Sequence, residues 1–259
     1  MNIIGIVPAR MASSRFPGKP LAKIIGIPMI GHVYYRSKMA TILDEVYVAT
    51  CDQEIADYIK SIGGQAVMTD KTHERASDRT AEAVPKIEKQ RGKQIDIVVM
   101  LQGDEPTMVP EMIDSAIEPM IQNSRINVAN LMGKIANTND FEDSNKVKVV
   151  INQKNYALYF SREPVPSRKK YSGNITMWKQ LGLIVFRREA LFAYSNMEST
   201  PLEIIESVDL NRLIENGEPV KMVPTNYETI GVDTELDLQA AETKLKNDPL
   251  VESYFPSSR

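Results

Sequence analysis

The chain contains one cysteine, one tryptophan and two histidines among its 259 residues. The single cysteine, Cys51, excludes an internal disulfide and a cysteine-rich zinc site. His32 and His73 stand far apart in the sequence, which disfavours a histidine-based metal site or a catalytic triad. No apolar run approaches the roughly 18 residues that span a bilayer, and the N-terminus does not have the basic-then-apolar form of a signal peptide. We therefore expect a cytoplasmic globular protein.

The chain also lacks a strong excess of either charge. Lys and Arg total 31 against 34 Asp and Glu, for a formal net charge of -3. That balance provides no electrostatic footprint for nucleic acid or for an anionic membrane. The hydrophobic fraction of 42% is enough for a packed core, and the length allows one or two domains.

Strand and helix patterns alternate in the first third of the chain. The predicted strands are Ile3–Val7, Glu45–Thr50, Gln65–Thr69 and Ile95–Leu101, and the helices are residues 28–39, 53–61 and 77–90. Strands separated by helices of this length predict βαβ units on a parallel sheet. The continuous apolar character of the strands indicates burial on both faces.

The second half predicts a mixed sheet and one long loop. Strands are expected at residues 128–135, 147–151, 158–160, 181–186 and 220–223, and helices at 203–216 and 234–246. Residues 163–178, rich in Pro, Ser and basic side chains, predict an inserted flap. We therefore predict one α/β domain over residues 1–246, followed by a tail, residues 247–259, with few packing signals.

A cationic loop directly follows the first strand. Arg10, Arg15 and Lys19 lie within ten residues, and small residues separate them: Ala9, Ala12, Ser13, Ser14 and Gly18. Small residues allow backbone N–H groups to approach an anion, and the cations neutralise its charge. The loop matches neither the P-loop nor the dinucleotide-binding glycine pattern. It predicts a phosphate site beyond a strand's carboxyl end; the alternative is a basic solvated turn.

Two aspartates complete a set that phosphoryl or nucleotidyl transfer needs. Asp104 follows the most apolar strand, and Asp233 lies in a turn before the last helix. Their carboxylates suit Mg²⁺, which prefers hard oxygen ligands. The alternatives are a capping or turn role for Asp104 and a helix N-cap role for Asp233.

The chain resembles the CMP-Kdo synthetases, the 3-deoxy-manno-octulosonate cytidylyltransferases. The resemblance spans about residues 3 to 245 and rests on segments that occur in the family's order: PARMASSRFPGKPL, ERASDR, LQGDEP, KVKVV, YALYFSR, PLE and GVDT. It implies a nucleotidyltransferase-type, Rossmann-like three-layer α/β fold with a mixed, mostly parallel central sheet. It further implies CTP as donor, Mg²⁺ as cofactor, an acidic small-molecule acceptor and a homodimer.

The resemblance also implies roles for individual residues. It places Ala9, Arg10, Ser13, Arg15 and Lys19 at the CTP phosphates, and Asp52, Met68, Ser77 and Arg79 around the nucleotide. It places Asp104 and Asp233 at Mg²⁺, so that Lys19, Arg10, Asp104 and Asp233 form the catalytic set. Gln102, Arg162, Gln180 and Asp209 are the candidates for the acceptor.

The acceptor half departs from the family pattern. Gln180 and Ile184 stand where the family has His and Tyr, Leu210 replaces a Gln, and Ala76 replaces a usual Gly. A site built to bond a hydroxyl rejects ligands that lack it. The acceptor is therefore either a Kdo-like sugar acid or a different acid, such as an amino-modified ulosonic acid or a phosphonate. A binding protein without turnover and a transferase for another base also stay open, as does the pathway: lipopolysaccharide, capsule, another glycan or a phosphonate product.

Overall fold

The computed structural model describes residues 1–12, 16–170, 173 and 175–255. By its internal packing the chain divides into two compact units. The first unit comprises residues 1–114 and 228–259, and the second comprises residues 115–227. The expectation of a single domain with an inserted flap stays a prediction.

A parallel sheet forms the centre of the first unit. Its elements begin with β1 (Ile3–Ala9), β2 (Lys23–Ile24), β3 (Ile27–Pro28), α1 (Met29–Lys38), β4 (Glu45–Thr50), α2 (Gln53–Ser61), β5 (Gln65–Met68), α3 (Ala76–Arg91) and β6 (Ile97–Leu101). Strand β1 pairs in parallel with both β4 and β6, and β4 pairs in parallel with β5. Every residue of β1 and β6 is buried, as their apolar sequences predict.

The second unit contains mostly antiparallel pairs. Helix α4 (Pro110–Gln122) leads into it, and its elements are β7 (Val128–Lys134), α5 (Thr138–Glu142), β8 (Lys148–Ile151), β9 (Ala157–Ser161), β10 (Trp178–Arg187), α6 (Arg188–Ser195), α7 (Pro201–Glu206), α8 (Asn211–Glu215) and β11 (Val220–Thr225). Strand β11 pairs with β7 in parallel. The pairs β7–β10, β10–β8 and β8–β9 are antiparallel. Between β9 and β10 the described residues form neither helix nor strand, which is where the flap was predicted.

A buried asparagine supports an irregularity in β10. The register between β10 and β7 shifts between Gln180 and Ile184. The side chain of Asn130, fully buried on β7, donates to the carbonyl oxygens of Leu181 (2.9 Å) and Leu183 (2.7 Å). The bulge takes these two carbonyl groups out of the regular β-ladder, and the Asn130 side chain satisfies them instead.

The prediction of one helix over residues 203–216 is wrong. The structure has two short helices, α7 and α8, and the backbone of Ser207 between them adopts a left-handed conformation with φ 51°. The break allows the buried Asn211 side chain to accept from the backbone N–H of Phe160 and donate to its carbonyl oxygen. Tertiary contacts with β9 therefore override the helical periodicity of the segment.

The C-terminal part of the chain also differs from the expectation. After the second unit the chain forms α9 (Glu235–Leu245) and α10 (Pro249–Tyr254), both in the first unit. Residues 249–254 were expected to make few contacts, yet Val251 is buried and Tyr254 is half-buried against α1.

Helix α4, which the sequence did not predict, contains Pro119 within its span, and an internal proline disfavours helix.

The α/β class of the fold is confirmed, with helices between strands that pair mostly in parallel in the first unit and both ways in the second. None of the helices among the described residues is both long enough and apolar enough to span a membrane.

Candidate active site

The loop after β1 is closed by a glycine turn that positions Lys19. Gly18 has φ 74°, a left-handed conformation that glycine adopts without strain. Its N–H donates to the Met11 carbonyl at 3.1 Å, and its carbonyl accepts from Leu21 at 3.0 Å. A single 3-10 turn follows, and Lys19 at its start is buried.

A second glycine brings the loop after β6 against the end of β1. A Cβ atom on Gly103 would lie 3.0 Å from the Pro8 carbonyl oxygen, so a larger residue here would require the backbone at Pro8 to shift. The carbonyl of the next residue, Asp104, accepts from the Val232 N–H at 2.8 Å. This bond joins the two loops that carry the predicted carboxylates, Asp104 and Asp233.

The ammonium group of Lys19 contacts both carboxylates. Lys19 Nζ lies 2.8 Å from Asp104 Oδ2 and 3.2 Å from Asp233 Oδ1. The aspartate side chains are 35% and 41% exposed, whereas that of Lys19 is 11% exposed. The structure thus brings together the cation and the two acids that the sequence predicted to cooperate, and leaves the carboxylates open to a ligand.

Asp233 is not the N-cap of α9. Thr234 takes that position, and its side chain and that of Asp237 bond reciprocally to the first turn of α9. This arrangement, a capping box, satisfies the free N–H groups of the helix start. Asp233 therefore faces Lys19 instead, and its alternative role as a cap is excluded.

A cavity of about 310 Å³ opens at this point. Its size falls within the range of small-ligand sites, which is about 300–1,000 Å³. Seven of the predicted site residues line it: Ala9, Arg10, Lys19, Arg79, Gln102, Asp104 and Asp233. The ends of β1 and β6 thus form the floor of a polar cavity with cations and acids on its wall, as expected for a parallel sheet.

Arginines hold the loop before α3, which forms another wall of the cavity. Arg79, 2% exposed, donates to Thr69 Oγ1 and to the carbonyls of Asp70 and His73. Arg10 donates to the same His73 carbonyl at 3.4 Å. These contacts give Arg79 a structural task in ordering the loop beside any contact with the nucleotide.

An acid on α3, Glu82, is bonded to the same loop. Burial by itself would raise the pKa of Glu82, but hydrogen bonds from Lys86, the Asp70 N–H and His73 outweigh it and lower that pKa. The carboxylate is therefore kept ionised, and it ties the loop to α3.

Three residues predicted around the nucleotide are not among those that line the cavity. Asp52, ahead of α2, accepts from the Met11 N–H at 2.7 Å and so supports the cationic loop. Met68 is 40% exposed at the end of β5, and Ser77 is 1% exposed in the first turn of α3. Their contacts with the nucleotide stay predictions. Ser13 and Arg15 lie outside the described residues.

The remaining acceptor candidates belong to the second unit. The guanidinium of Arg162 donates to the carbonyls of Glu206 (2.7 Å), Ser144 (2.9 Å) and Ser207 (3.2 Å). Gln180 is half-buried beside the bulge of β10, and Asp209 lies in the turn between α7 and α8. The roles of these three residues at the acceptor stay predictions.

Sequence reasoning missed the contribution of residues 73–76 to the cavity. His73, Glu74, Arg75 and Ala76 all line it, although none of them is among the predicted site residues. The available signal was the position of Arg75 and Ala76 at the start of a helix, where backbone N–H groups are free for an anion.

The comparisons with known proteins identify the family of the chain. The family model described as cytidylyltransferase matches residues 4–223. The 3-deoxy-manno-octulosonate cytidylyltransferase of Geobacter metallireducens is 43% identical over 255 residues, which cover 95% of this chain and 98% of that protein. The enzyme of the same name from Geobacter sulfurreducens is also 43% identical, over 95% and 100% of the two chains. The chain belongs to the cytidylyltransferase family.

Solved structures show that this cytidylyltransferase also shares its fold with known enzymes. A CMP:2-keto-3-deoxy-manno-octonic acid synthetase complexed with CTP matches with a TM-score of 0.88 and 34% identity, over 95% of this chain and 99% of that one. A 4-diphosphocytidyl-2C-methyl-D-erythritol synthase from Anaerococcus prevotii matches with a TM-score of 0.63 at 15% identity, which shows the fold alone. The predicted nucleotidyltransferase-type fold and the enzyme class, a CTP-dependent nucleotidyltransferase, are confirmed.

The comparisons do not favour the alternative acceptor. The departures at Gln180, Ile184 and Leu210 predicted an acid other than Kdo, yet relatives that match nearly the whole chain share the name of the Kdo enzyme. In the structure Ile184 and Leu210 are buried. Ile184 and Leu210 are therefore packing residues, and they do not support a change of acceptor.

Proposed function

We propose that this cytidylyltransferase transfers CMP from CTP to 3-deoxy-manno-octulosonate and releases pyrophosphate. One observation carries the proposal: Lys19 contacts Asp104 and Asp233 inside the cavity at the ends of β1 and β6. The solved relative that contains CTP supports CTP as the donor, and the names of the relatives support the sugar acid as the acceptor.

The reaction is an in-line displacement at the α-phosphorus of CTP. A bond forms between the acceptor's hydroxyl oxygen and this phosphorus, the bond to the β-phosphate breaks, and the acceptor's proton leaves to solvent. Phosphoryl transfer asks for positioning and charge neutralisation more than for covalent chemistry. Lys19 and Arg10, which line the cavity, supply the positive charge for the phosphates, and Gln102 faces the acceptor.

The donor set fits a divalent cation such as Mg²⁺. Asp104 and Asp233 converge on one ammonium group and are partly exposed. Within the part of the chain that the structure describes, no group of three or more His, Cys, Asp or Glu side chains is placed to hold a metal ion. Two carboxylates plus phosphate and water oxygens are what Mg²⁺ accepts in such sites. When bound, the ion would neutralise charge on the α-phosphate.

Pyrophosphate release measured with CTP and Mg²⁺ tests this function. The acceptor panel contains Kdo, 8-amino-Kdo, nonulosonic acids and small phosphonates, and a chelator provides the metal control. We expect release with Kdo that stops on chelation, and little release when ATP, GTP or UTP replaces CTP. Release with another acid while Kdo stays silent would overturn the acceptor, and release that survives chelation would overturn the metal.

Assembly belongs to the same proposal. The resemblance implies a homodimer, and light scattering of the purified protein at several concentrations tests it. A mass of one chain, 29.1 kDa, at all concentrations would contradict the dimer without affecting the chemistry.

A further inference from the structure

The C-terminal helix α10 is joined to α1 by a buried polar network. Arg36, fully buried on α1, donates to Asp248 Oδ2 at 2.6 Å and to the Tyr254 hydroxyl at 3.4 Å. The ring of Tyr254 stacks on that of Tyr35, with centroids 5.2 Å apart and an interplanar angle of 15°. The helix is thus held by a charge pair and an aromatic stack.

From α1 this network reaches the segment that carries Lys19. His32, fully buried, lies with Nε2 2.9 Å from the Ile24 carbonyl oxygen and Nδ1 2.9 Å from the Tyr254 hydroxyl. A carbonyl oxygen only accepts, so Nε2 carries the proton, and Nδ1 of the neutral ring accepts from the hydroxyl. Ile24 is the last residue of β2, which follows the turn of Lys19.

The network also reaches the loop that carries Asp104. Arg36 Nε donates to the Met108 carbonyl at 2.6 Å. Met108 N–H in turn donates to the Glu105 carbonyl at 3.2 Å, so the guanidinium braces the turn that directly follows Asp104.

The apolar core beneath the network includes the neighbour of Asp233. Val232 belongs to one cluster of buried side chains with Ile24, Leu245 and Val251, and Tyr254 packs against this cluster. Helix α10 therefore contacts the supports of all three residues, Lys19, Asp104 and Asp233. A displacement of about 1 Å in such a set costs roughly a hundredfold in rate.

We propose that Tyr254 is a positioning residue, whose hydroxyl, shared by His32 and Arg36, holds the segments of Lys19 and Asp104 in the arrangement that the transfer requires. The proposal rests on the proposed function. Polar groups buried in a fully bonded network occupy one arrangement. Here the Tyr254 hydroxyl joins the connection through His32 to Ile24 with the connection through Arg36 to Met108.

Tyr254→Phe tests this role, because it keeps the ring and removes only the hydroxyl. We expect kcat for pyrophosphate release to fall about tenfold, by loss of alignment, while KM for CTP changes by less than about twofold, since the cavity wall and its cations remain. Glu252→Ala, exposed on the same helix, serves as the matched control and should leave kcat unchanged.

A second control separates positioning from stability. Ile59→Val removes one buried methyl group from α2, which carries none of the residues that bond to the Tyr254 hydroxyl, and lowers the melting temperature. If Tyr254→Phe loses stability but keeps wild-type kcat, or if Ile59→Val loses as much kcat for the same loss of stability, the positioning role is wrong. The proposed function is tested separately, by whether the wild type releases pyrophosphate with Kdo. The positioning role is judged only from the ratio of variant kcat to wild-type kcat, measured with an acceptor that the wild type turns over.

Discussion

Lys19, Asp104 and Asp233 show how single residues acquire their roles from their neighbours. Lys19 follows the left-handed Gly18, and Asp104 follows Gly103, which lies close to Pro8. Asp233 precedes Thr234, which caps α9 in its place. The sequence pattern found all three charged residues because they follow strands or precede a helix. It left the role of Asp233 open, because a turn aspartate before a helix is equally suited to be a cap.

At this scale we predict that Asp104→Asn nearly abolishes turnover and leaves the fold intact. The substitution removes one of two charges that would hold the cation, and charge stabilisation by a metal is worth several kcal/mol, so we expect a loss of at least about a hundredfold in kcat. The side chain is 35% exposed, so the melting temperature should hardly change. Steady-state kinetics and thermal unfolding are the measurements.

The matched control is Asp57→Asn, an exposed carboxylate on α2 that accepts from Gln53. It should keep wild-type kcat. Normal turnover in Asp104→Asn would remove this residue from the mechanism.

Among the elements, α7 and α8 depend on a buried ion pair. The guanidinium of Arg212 contacts both carboxylate oxygens of Glu203 at 2.7 Å, and the two side chains are 5% and 0% exposed. The same guanidinium lies 4.6 Å from the ring of Tyr194. Glu203 supplies the hydrogen bond that raises the pKa of Arg212. Two short helices that could not persist alone are thus held by tertiary contacts, which explains why periodicity predicted one longer helix.

We therefore predict that Glu203→Gln destabilises the second unit by about 3 kcal/mol or more, because it leaves a buried cation without its counter-charge. The Thr200 N–H donates to the Glu203 carboxylate, and the amide oxygen of glutamine can accept the same bond. Urea unfolding followed by the fluorescence of Trp178, the chain's one tryptophan, reports on this unit directly. The exposed Glu218→Gln is the control, and equal midpoints for the two variants would contradict the prediction.

For the molecule as a whole, the buried histidine makes stability depend on pH. Burial lowers the pKa of His32 below its ordinary value of 6.5, and Arg36 lowers it further, while the hydrogen bond to Ile24 opposes them. Below pH 6.5 the unfolded chain binds a proton that the folded chain does not. The free energy of unfolding therefore falls as the pH falls from about 6.5 towards the pKa of the folded state.

The expected slope is up to about 1.4 kcal/mol per pH unit from this one group. Glu45, Glu82, Asp140 and Glu206 have lowered pKa values, so their stabilisation is lost only at more acidic pH, below their ordinary values of 4.5 and 3.8. Urea unfolding of the wild type and of His32→Gln between pH 7.5 and 5.5 is the measurement. Slopes of equal size in the two proteins would refute the assignment to His32.

Local patterns were sufficient for the longer strands, for Lys19 after β1 and for Asp104 after β6, because each leaves a signal within a few residues of the chain. The buried strands of the first unit read as apolar runs, Gly18 marks a left-handed turn with φ 74°, and Gly103 marks a close approach to the Pro8 carbonyl oxygen. The family motifs added the identity of the donor and the sugar acid, which no local pattern contains.

The tertiary structure decided what those residues do together. Lys19 contacts Asp104 across 85 residues of sequence and Asp233 across 214, and packing alone sets those separations. The same holds for the break at Ser207 and for the docking of Tyr254 on α1, since both depend on partners distant in sequence. A pattern shows which side chains are suited to a chemistry. The sheet of the first unit, whose parallel strands end at one edge, is what brings them within bonding distance.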